Sequence, residues 1–178
     1  MKCLLTLLTI MTTTTFIAQD IRLNDEVRQG KATTVKKTFN RETSVSILID
    51  SDAPIVWALL TNASDYPRWN STVTSIEGNI KEGQKIRLKS TLDAKRTFKL
   101  KVKEFEPEKT LVWGDGMGKR TFSLKKIDGE KLLFSMTEKI GGPMFPLFAN
   151  KIPSFDESFE QFVADLKKEA ELISNTKN

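Results

Sequence analysis

The sequence predicts an α+β domain in which a curved antiparallel sheet of seven strands lies against one long C-terminal helix. Between residues 72 and 140, short strand-like stretches alternate with turns that contain Gly, Pro and Asp. The end of the chain instead carries apolar residues at helical spacing. A chain of 178 residues is long enough for one such domain with a short extension.

The first predicted strand, 43–50, places Val45, Ile47 and Ile49 on one face. Ser51 or Asp52 then provides a helix cap before Pro54, and two short helical pieces follow at 55–61 and 64–68. The remaining six strands are predicted at 72–78, 85–91, 96–105, 110–113, 119–127 and 131–140.

The C-terminal helix is predicted over residues 155–174. Ser154 and Glu157 have the spacing of a capping box, and Phe155, Phe159 and Phe162 begin an apolar stripe along one helix face. We therefore expect this helix to lie across the apolar face of the sheet.

The N-terminal residues 1–18 are predicted to be a signal peptide. Lys2 precedes a short apolar run over residues 3–11, and the small residue Ala18 suits a cleavage site. The protein is then expected to be periplasmic or extracellular. Residues 19–41 are polar and show no periodicity, so we predict a flexible lead-in before a domain at 42–175.

The composition excludes several chemistries. The chain has no histidine, and its single cysteine, Cys3, lies in the predicted signal. Imidazole bases, Ser-His or Cys-His nucleophiles and histidine metal sites are therefore absent. Asp50 and Asp52 have the spacing of metal ligands, but a helix cap explains them better. We predict no metal and no cofactor.

The outer face of the sheet is predicted to be cationic. A register that pairs Leu88 with Leu100 and Ile86 with Val102 makes one face apolar and collects six cations on the other. Such a face either is simply solvated or contacts an anionic membrane surface. Nucleic acid is not expected, because no aromatic residue interleaves these cations. The six cations are Lys85, Arg87, Lys89, Lys99, Lys101 and Lys103.

The turn near Asp128 leaves the inner face of the last strand open to two assignments. A three-residue loop places Phe134, Met136 and Glu138 inside. A two-residue loop would instead place Leu133, Ser135 and Thr137 inside. We favour the first assignment because it buries larger apolar side chains.

Several short motifs carry a family resemblance over about residues 42–175. They are Val56-Trp57, the run Tyr66-Pro67-Arg68-Trp69-Asn70, Phe105-Glu106-Pro107, and Glu138 with Gly141-Gly142-Pro143. With the order of elements, they resemble the START and plant pathogenesis-related-allergen (SRPBCC) superfamily, in particular its polyketide cyclase/dehydrase and lipid-transport-like branch. The resemblance implies a helix-grip fold, with a cavity between sheet and helix that takes a hydrophobic small molecule.

The expected function is therefore non-covalent binding or transport of a lipid-like or polyketide-like molecule. One alternative is a cyclase, dehydratase or hydrolase that uses Glu138, Arg120 or Tyr66 as catalytic groups. A second is a protein-interaction module, like a co-chaperone, in which the same inner residues form a filled core. The predicted cavity residues are Trp69, Ile86, Leu88, Phe98, Leu100, Val102, Trp113, Phe122, Phe134, Met136, Phe155, Phe159 and Phe162.

Overall fold

The computed structural model describes residues 29–127 and 131–176. Its centre is one antiparallel sheet, and the α+β helix-grip architecture is confirmed, with eight strands in the described residues where seven were predicted. The strands are β1 (Thr33–Lys37), β2 (Asn40–Asp50), β3 (Val73–Glu77), β4 (Lys85–Ser90), β5 (Phe98–Glu106), β6 (Thr110–Gly114), β7 (Gly118–Lys126) and β8 (Lys131–Gly141). Their order in the sheet is β1-β2-β8-β7-β6-β5-β4-β3.

In the described part of the chain, three α-helices accompany the sheet. Two are short and follow β2, and the third ends the described chain. Asp52 occupies the predicted N-cap position of the first helix, but its side chain makes no capping hydrogen bond. None of the described helices has the length and apolarity needed to cross a bilayer. The helices are α1 (Ala53–Thr61), α2 (Tyr66–Trp69) and α3 (Asp156–Thr176).

The eighth strand, β1, lies within the predicted flexible lead-in. Residues 33–37 pair with the start of β2, and Gln29 forms an isolated bridge with Ile47. Because β1 is an edge strand whose only large apolar residue, Val35, is exposed, it has no alternating apolar pattern. The predicted signal peptide and the first part of the lead-in lie outside the described residues and stay predictions.

The pairing of β4 with β5 is shifted from the predicted register by two residues. Leu88 lies opposite Phe98, and Ile86 lies opposite Leu100. The connection between the two strands contains a 3₁₀ turn at Thr91–Asp93, which the sequence pattern did not predict. The inner and outer faces are nevertheless as predicted, because side chains alternate with a period of two residues.

The pairing of β7 with β8 confirms the three-residue loop. The backbone N–H of Ile127 donates to the carbonyl of Lys131, and Leu124 lies opposite Phe134. Phe134 and Met136 are fully buried on the inner face. The last strand therefore presents Glu138 to the same side.

Helix α3 packs against the inner face through its apolar stripe. Its first turn is held to the N-terminal segment, where Thr34 donates to Asp156 and the backbone N–H of Ala32 donates to Glu160. The hydroxyl of Ser154 contacts Asp156, so the predicted capping box with Glu157 is not formed. The buried residues of the stripe are Phe159, Phe162, Val163, Leu166 and Ala170.

The two ends of the sheet differ in the turns and helices that lie beside them. One end, which we call the open end, gathers the turns that join β1 to β2, β4 to β5 and β6 to β7, together with residues 142–155. The last of these segments consists of turns, including two short 3₁₀ helices. At the opposite end the inner face meets α1 and the body of α3, and the interior is filled.

Candidate functional site

A cavity of about 370 Å³ lies at the open end, between the inner face of the sheet and residues 148–155. Its wall is largely apolar, with several polar groups toward the loops. A concave, mostly apolar site with a few polar groups is typical of small-molecule binding. The lining residues are Thr72, Val73, Leu88, Ser90, Leu92, Asp93, Arg96, Phe98, Leu100, Trp113, Gly114, Asp115, Met117, Gly118, Arg120, Glu138, Ile140, Phe148, Lys151, Ile152, Pro153, Phe155 and Ser158.

The structure brings five of the thirteen predicted cavity residues to this wall. They come from β4, β5, β6 and the segment before α3, and they supply its aromatic and aliphatic surface. The five are Leu88, Phe98, Leu100, Trp113 and Phe155.

The other eight predicted cavity residues belong to the packed core and do not line the cavity. They lie where the sheet, α3 and the short helices pack together, and each is at most 6% exposed. Core and cavity use the same residue types, so the sequence did not separate them. They are Trp69, Ile86, Val102, Phe122, Phe134, Met136, Phe159 and Phe162.

An ion pair in the cavity wall joins Arg120 and Glu138. The two residues are direct cross-strand partners on β7 and β8, and Arg120 Nε lies 2.6 Å from Glu138 Oε2. Their side chains are only 16% and 14% exposed. The guanidinium also lies 5.0 Å from the centre of the Phe159 ring. The pair is therefore a fixed polar group within an otherwise apolar wall.

Two glycines make room beside this pair. A Cβ atom on Gly114 would lie 2.2 Å from the carbonyl oxygen of Gly118, so the hairpin accepts no side chain there. A Cβ atom on Gly118 would lie 3.1 Å from Glu138 Oε1. The glycines thus let the turn between β6 and β7 form one wall of the cavity.

Buried Arg41 holds the loop that covers the cavity. Its terminal nitrogens donate to the carbonyl oxygens of Ile152 (3.2 Å) and Pro153 (2.8 Å), and its guanidinium lies 4.6 Å from the centre of the Phe155 ring. Burial lowers the pKa of Arg41, an effect that the nearby carboxylates of Asp156 and Glu138 oppose. Arg41 was missed because it falls in the predicted lead-in.

Tyr66, predicted as a possible catalytic group, does not reach the cavity. It is fully buried in the core, and its hydroxyl donates to the carbonyl of Leu60 at 2.9 Å. Burial raises the pKa of Tyr66 well above its usual range. Its ring packs against Trp69 and Trp113, which is a structural role.

Further polar groups in the cavity wall were not predicted. They come from loops and from the ends of β4 and α3, which only the tertiary fold brings together, so no local pattern in the sequence marks them. Arg96 is one of them, and its guanidinium lies 4.7 Å from the centre of the Phe98 ring. The others are Thr72, Ser90, Asp93, Asp115, Lys151 and Ser158.

The six predicted cations all lie exposed on the outer face of β4 and β5, away from the cavity. Their pairing differs from the prediction: Lys85 lies opposite Lys101, and Arg87 lies opposite Lys99. Lys103 stands at an irregularity in β5 and donates to the carbonyl of Asp115. Contact of this face with an anionic surface stays a prediction.

Solved structures with the same fold come from several bacteria. A protein from Nitrosomonas europaea is 11% identical with a TM-score of 0.61, and the match covers 81% of this chain and 100% of that one. A START superfamily protein from Mycobacterium smegmatis is 15% identical with a TM-score of 0.54, covering 74% of this chain and 98% of that one. At these identities the likeness concerns the fold alone.

A third match is DynU16, a protein of the dynemicin biosynthetic locus. It is 15% identical with a TM-score of 0.58, and the match covers 75% of this chain but only 48% of that one. No curated protein matches the sequence. The profile of the family described as polyketide cyclase / dehydrase and lipid transport matches residues 40–171. The chain therefore belongs to the polyketide cyclase / dehydrase and lipid transport family.

Proposed function

We propose that the protein binds or carries a hydrophobic small molecule, lipid-like or polyketide-like, in the cavity at the open end. The observation that carries this proposal is the cavity itself: about 370 Å³ of space with a largely apolar wall and the mostly buried Arg120–Glu138 pair. This volume lies within the range of small-molecule sites. The family to which the chain belongs supports the same kind of ligand.

The ion pair restricts the polar part of the ligand. Arg120 and Glu138 neutralise each other, so the wall offers a donor and an acceptor without net charge. A hydroxyl or carbonyl group of the ligand can hydrogen-bond there without bringing a charge out of water. A charged group would lose its hydration and, beside one positive and one negative side chain, would gain no net attraction. We therefore expect an apolar molecule with one neutral polar group toward β7 and β8.

Native mass spectrometry of the purified protein, compared with denaturing spectra and an organic extract, tests this proposal. We expect a bound apolar molecule that the extract recovers. The variant Leu100→Trp fills the cavity and should abolish this extra mass. The control Lys99→Trp adds the same side chain to the outer face of the same strand and should retain it. An extra mass that survives Leu100→Trp would place the ligand elsewhere and contradict the proposal.

We also propose that the protein acts outside the cytoplasm, on the strength of the pattern in residues 1–18. Expression of the full chain should give a periplasmic or secreted product whose intact mass lacks about the first 18 residues. A cytoplasmic product of full mass would contradict this proposal and leave ligand binding untouched.

Catalysis is the second candidate function, because a carboxylate lies in the cavity wall. Glu138→Gln keeps the shape of the side chain but removes its ability to take a proton. If the protein is an enzyme, this variant should bind the extracted molecule and fail to convert it. In a carrier, the same variant should change affinity alone. A protein-interaction module would instead yield no bound molecule in either form.

A further inference from the structure

Large apolar side chains project into solvent at the open end. Six large hydrophobic residues are exposed in the described part of the chain, and four of them lie at this end. Phe39 is 57% exposed and Met117 is 47% exposed, while Met144 and Leu147 reach 63% and 72%. Exposed apolar groups gathered in one place mark a contact surface more often than scattered ones do.

Backbone hydrogen bonds hold the segments that carry these side chains together. The N–H of Gly141 donates to the carbonyl of Met117, and the N–H of Gly142 donates to the carbonyl of Phe39, both at 3.0 Å. Phe39, Met117 and Pro143 line one shallow groove. Met144 and Leu147 are exposed on the segment that directly follows Pro143 at the same end of the sheet. We call the four exposed side chains Phe39, Met117, Met144 and Leu147 the apolar tip.

Three lysines border the apolar tip. Lys103, Lys119 and Lys139 line the same groove, and Lys119 lies directly opposite Lys139 in the sheet. Within residues 29–127 and 131–176, no carboxylate lies within 4.0 Å of any of these three ammonium groups. The one carboxylate of the groove, Asp115, accepts two backbone N–H groups of its own turn. None of these three ammonium groups is therefore held in an ion pair within the described residues, and each can contact an external anion.

The apolar tip adjoins the cavity. Asp115, Met117 and Gly118 line both the groove and the cavity, so one turn separates the two. A surface that contacts the tip lies next to the cavity wall. An apolar molecule that passes between the two would spend little of its path in water.

We propose that the apolar tip, with Lys103, Lys119 and Lys139, docks on the surface of an anionic lipid bilayer. Apolar side chains that protrude from turns enter the boundary between headgroups and acyl chains, while lysines beside them contact anionic headgroups. An acidic protein partner is a weaker match, since the tip protrudes from several turns and forms no deep groove for a peptide. Docking does not require an occupied cavity.

Vesicle co-sedimentation tests this proposal. All chains carry Leu5→Asp and Leu8→Asp, so that the apolar run over residues 3–11 does not bind lipid by itself. The vesicles are phosphatidylcholine alone, or phosphatidylcholine with phosphatidylglycerol. We expect retention on the anionic vesicles that falls as salt rises, and much weaker retention on the neutral ones.

Three double variants separate the surfaces. Met144→Ser/Leu147→Ser should reduce retention at least fivefold. Lys119→Gln/Lys139→Gln should reduce it about 25-fold, since each lysine near an anionic surface contributes roughly fivefold. The matched control Lys89→Gln/Lys101→Gln removes two charges from the outer face of the sheet and should stay within twofold. Circular dichroism and thermal unfolding check that each variant is folded.

The outcomes are decisive. Loss of binding in the two tip variants, with the control unchanged, supports the proposal. Loss in the control with the tip variants unchanged would assign docking to the outer face and overturn it. Equal retention on neutral and anionic vesicles, or no retention at all, would also overturn it. Leu100→Trp should dock as the wild type does, so failure of ligand binding and failure of docking remain distinguishable.

Discussion

The filled half of the interior and the cavity half are built from the same kinds of residue, yet only one of them is packed. In the filled half, the ring of fully buried Phe122 lies 4.8 Å, 6.2 Å and 5.9 Å from those of Trp113, Phe134 and Phe162. In the cavity half, Phe98 and Leu100 are partly exposed and face open space. The difference lies in the cover: α3 begins only at Asp156, and turns cover the rest.

The two halves also differ in charge. Among the described residues the filled half buries no charged side chain, whereas the wall and cover of the cavity half contain Arg120, Glu138 and Arg41. Charged side chains are tolerated in an interior that solvent can partly reach when they are paired. In this chain the cavity therefore lies where α3 no longer covers the sheet.

The largest expected effect contrasts one side chain from each half. Phe122→Ala should reduce the free energy of unfolding by about 3–5 kcal/mol, since it opens a cavity among packed rings. Leu100→Ala should cost about 1 kcal/mol, because its side chain already borders open space and loses few contacts. Urea unfolding followed by circular dichroism measures both. Equal losses would show that the two halves are packed alike.

The next effect concerns residues 142–155, which cover the cavity half. Arg41→Met should reduce the free energy of unfolding by about 2–3 kcal/mol, because two charged hydrogen bonds to the cover are lost. Amide hydrogen exchange should accelerate in residues 142–155 and stay slow in the filled half. Arg87→Met, on the outer face, should change stability by less than about 0.5 kcal/mol. Unchanged exchange in the cover would contradict the role given to Arg41.

A smaller effect is expected at the ion pair in the cavity wall. Glu138→Leu or Arg120→Met alone should cost about 1–2 kcal/mol, because each leaves a mostly buried charge without its partner. The double variant should cost less than the sum of the two, as urea unfolding can measure. The exposed pair of Arg87 and Glu77, 3.9 Å apart, is the control and should show almost no coupling.

The smallest expected effect is a dependence of the free energy of unfolding on pH, which arises from Glu160 near the start of α3. The N–H of Ala32, and then Lys31, hold the pKa of Glu160 below its ordinary value. A carboxyl whose pKa is lower in the folded than in the unfolded state stabilises the protein at pH values above its unfolded-state pKa. This stabilisation is lost as pH falls through the folded-state pKa. Glu160→Gln should therefore cost less than about 1 kcal/mol at pH 7 and almost nothing near pH 3.

Lys31→Gln separates the two causes of this effect. It removes the ion pair and leaves the backbone hydrogen bond, which has the larger influence on the pKa of Glu160. Unfolding curves at the two pH values should therefore show that Lys31→Gln retains most of the pH dependence. Complete loss in this variant would assign the effect to the ion pair.

The sequence predicted the fold well where a local pattern determined it. Alternation along β4 and β5 placed each residue on its correct face even though the register was shifted by two. The preference for burying large side chains selected the correct loop before β8, and with it the inward position of Glu138. The edge strand β1 was missed because pairing with β2 requires no apolar alternation.

The candidate site was predicted less completely, and for a physical reason. Whether Trp113 borders open space and Phe122 does not depends on where α3 begins, which no inner-face pattern records. Arg41 acquires its role from carbonyl groups more than a hundred residues away. Tyr66 satisfied a family motif, but its hydroxyl is used within the core. Local patterns therefore indicate inner-face residues without distinguishing packed positions from those bordering the cavity.

The strand order has a consequence for how the chain acquires its structure. Strand β2, made early, lies between β1 and β8, so one of its edges stays bare until residues 131–141 have been synthesised. Helix α3 comes later still and contributes much of the core. Such distant pairings are slow to form. A nascent chain therefore has no complete core until residues 131–176 have emerged from the ribosome, and we expect it to fold only then.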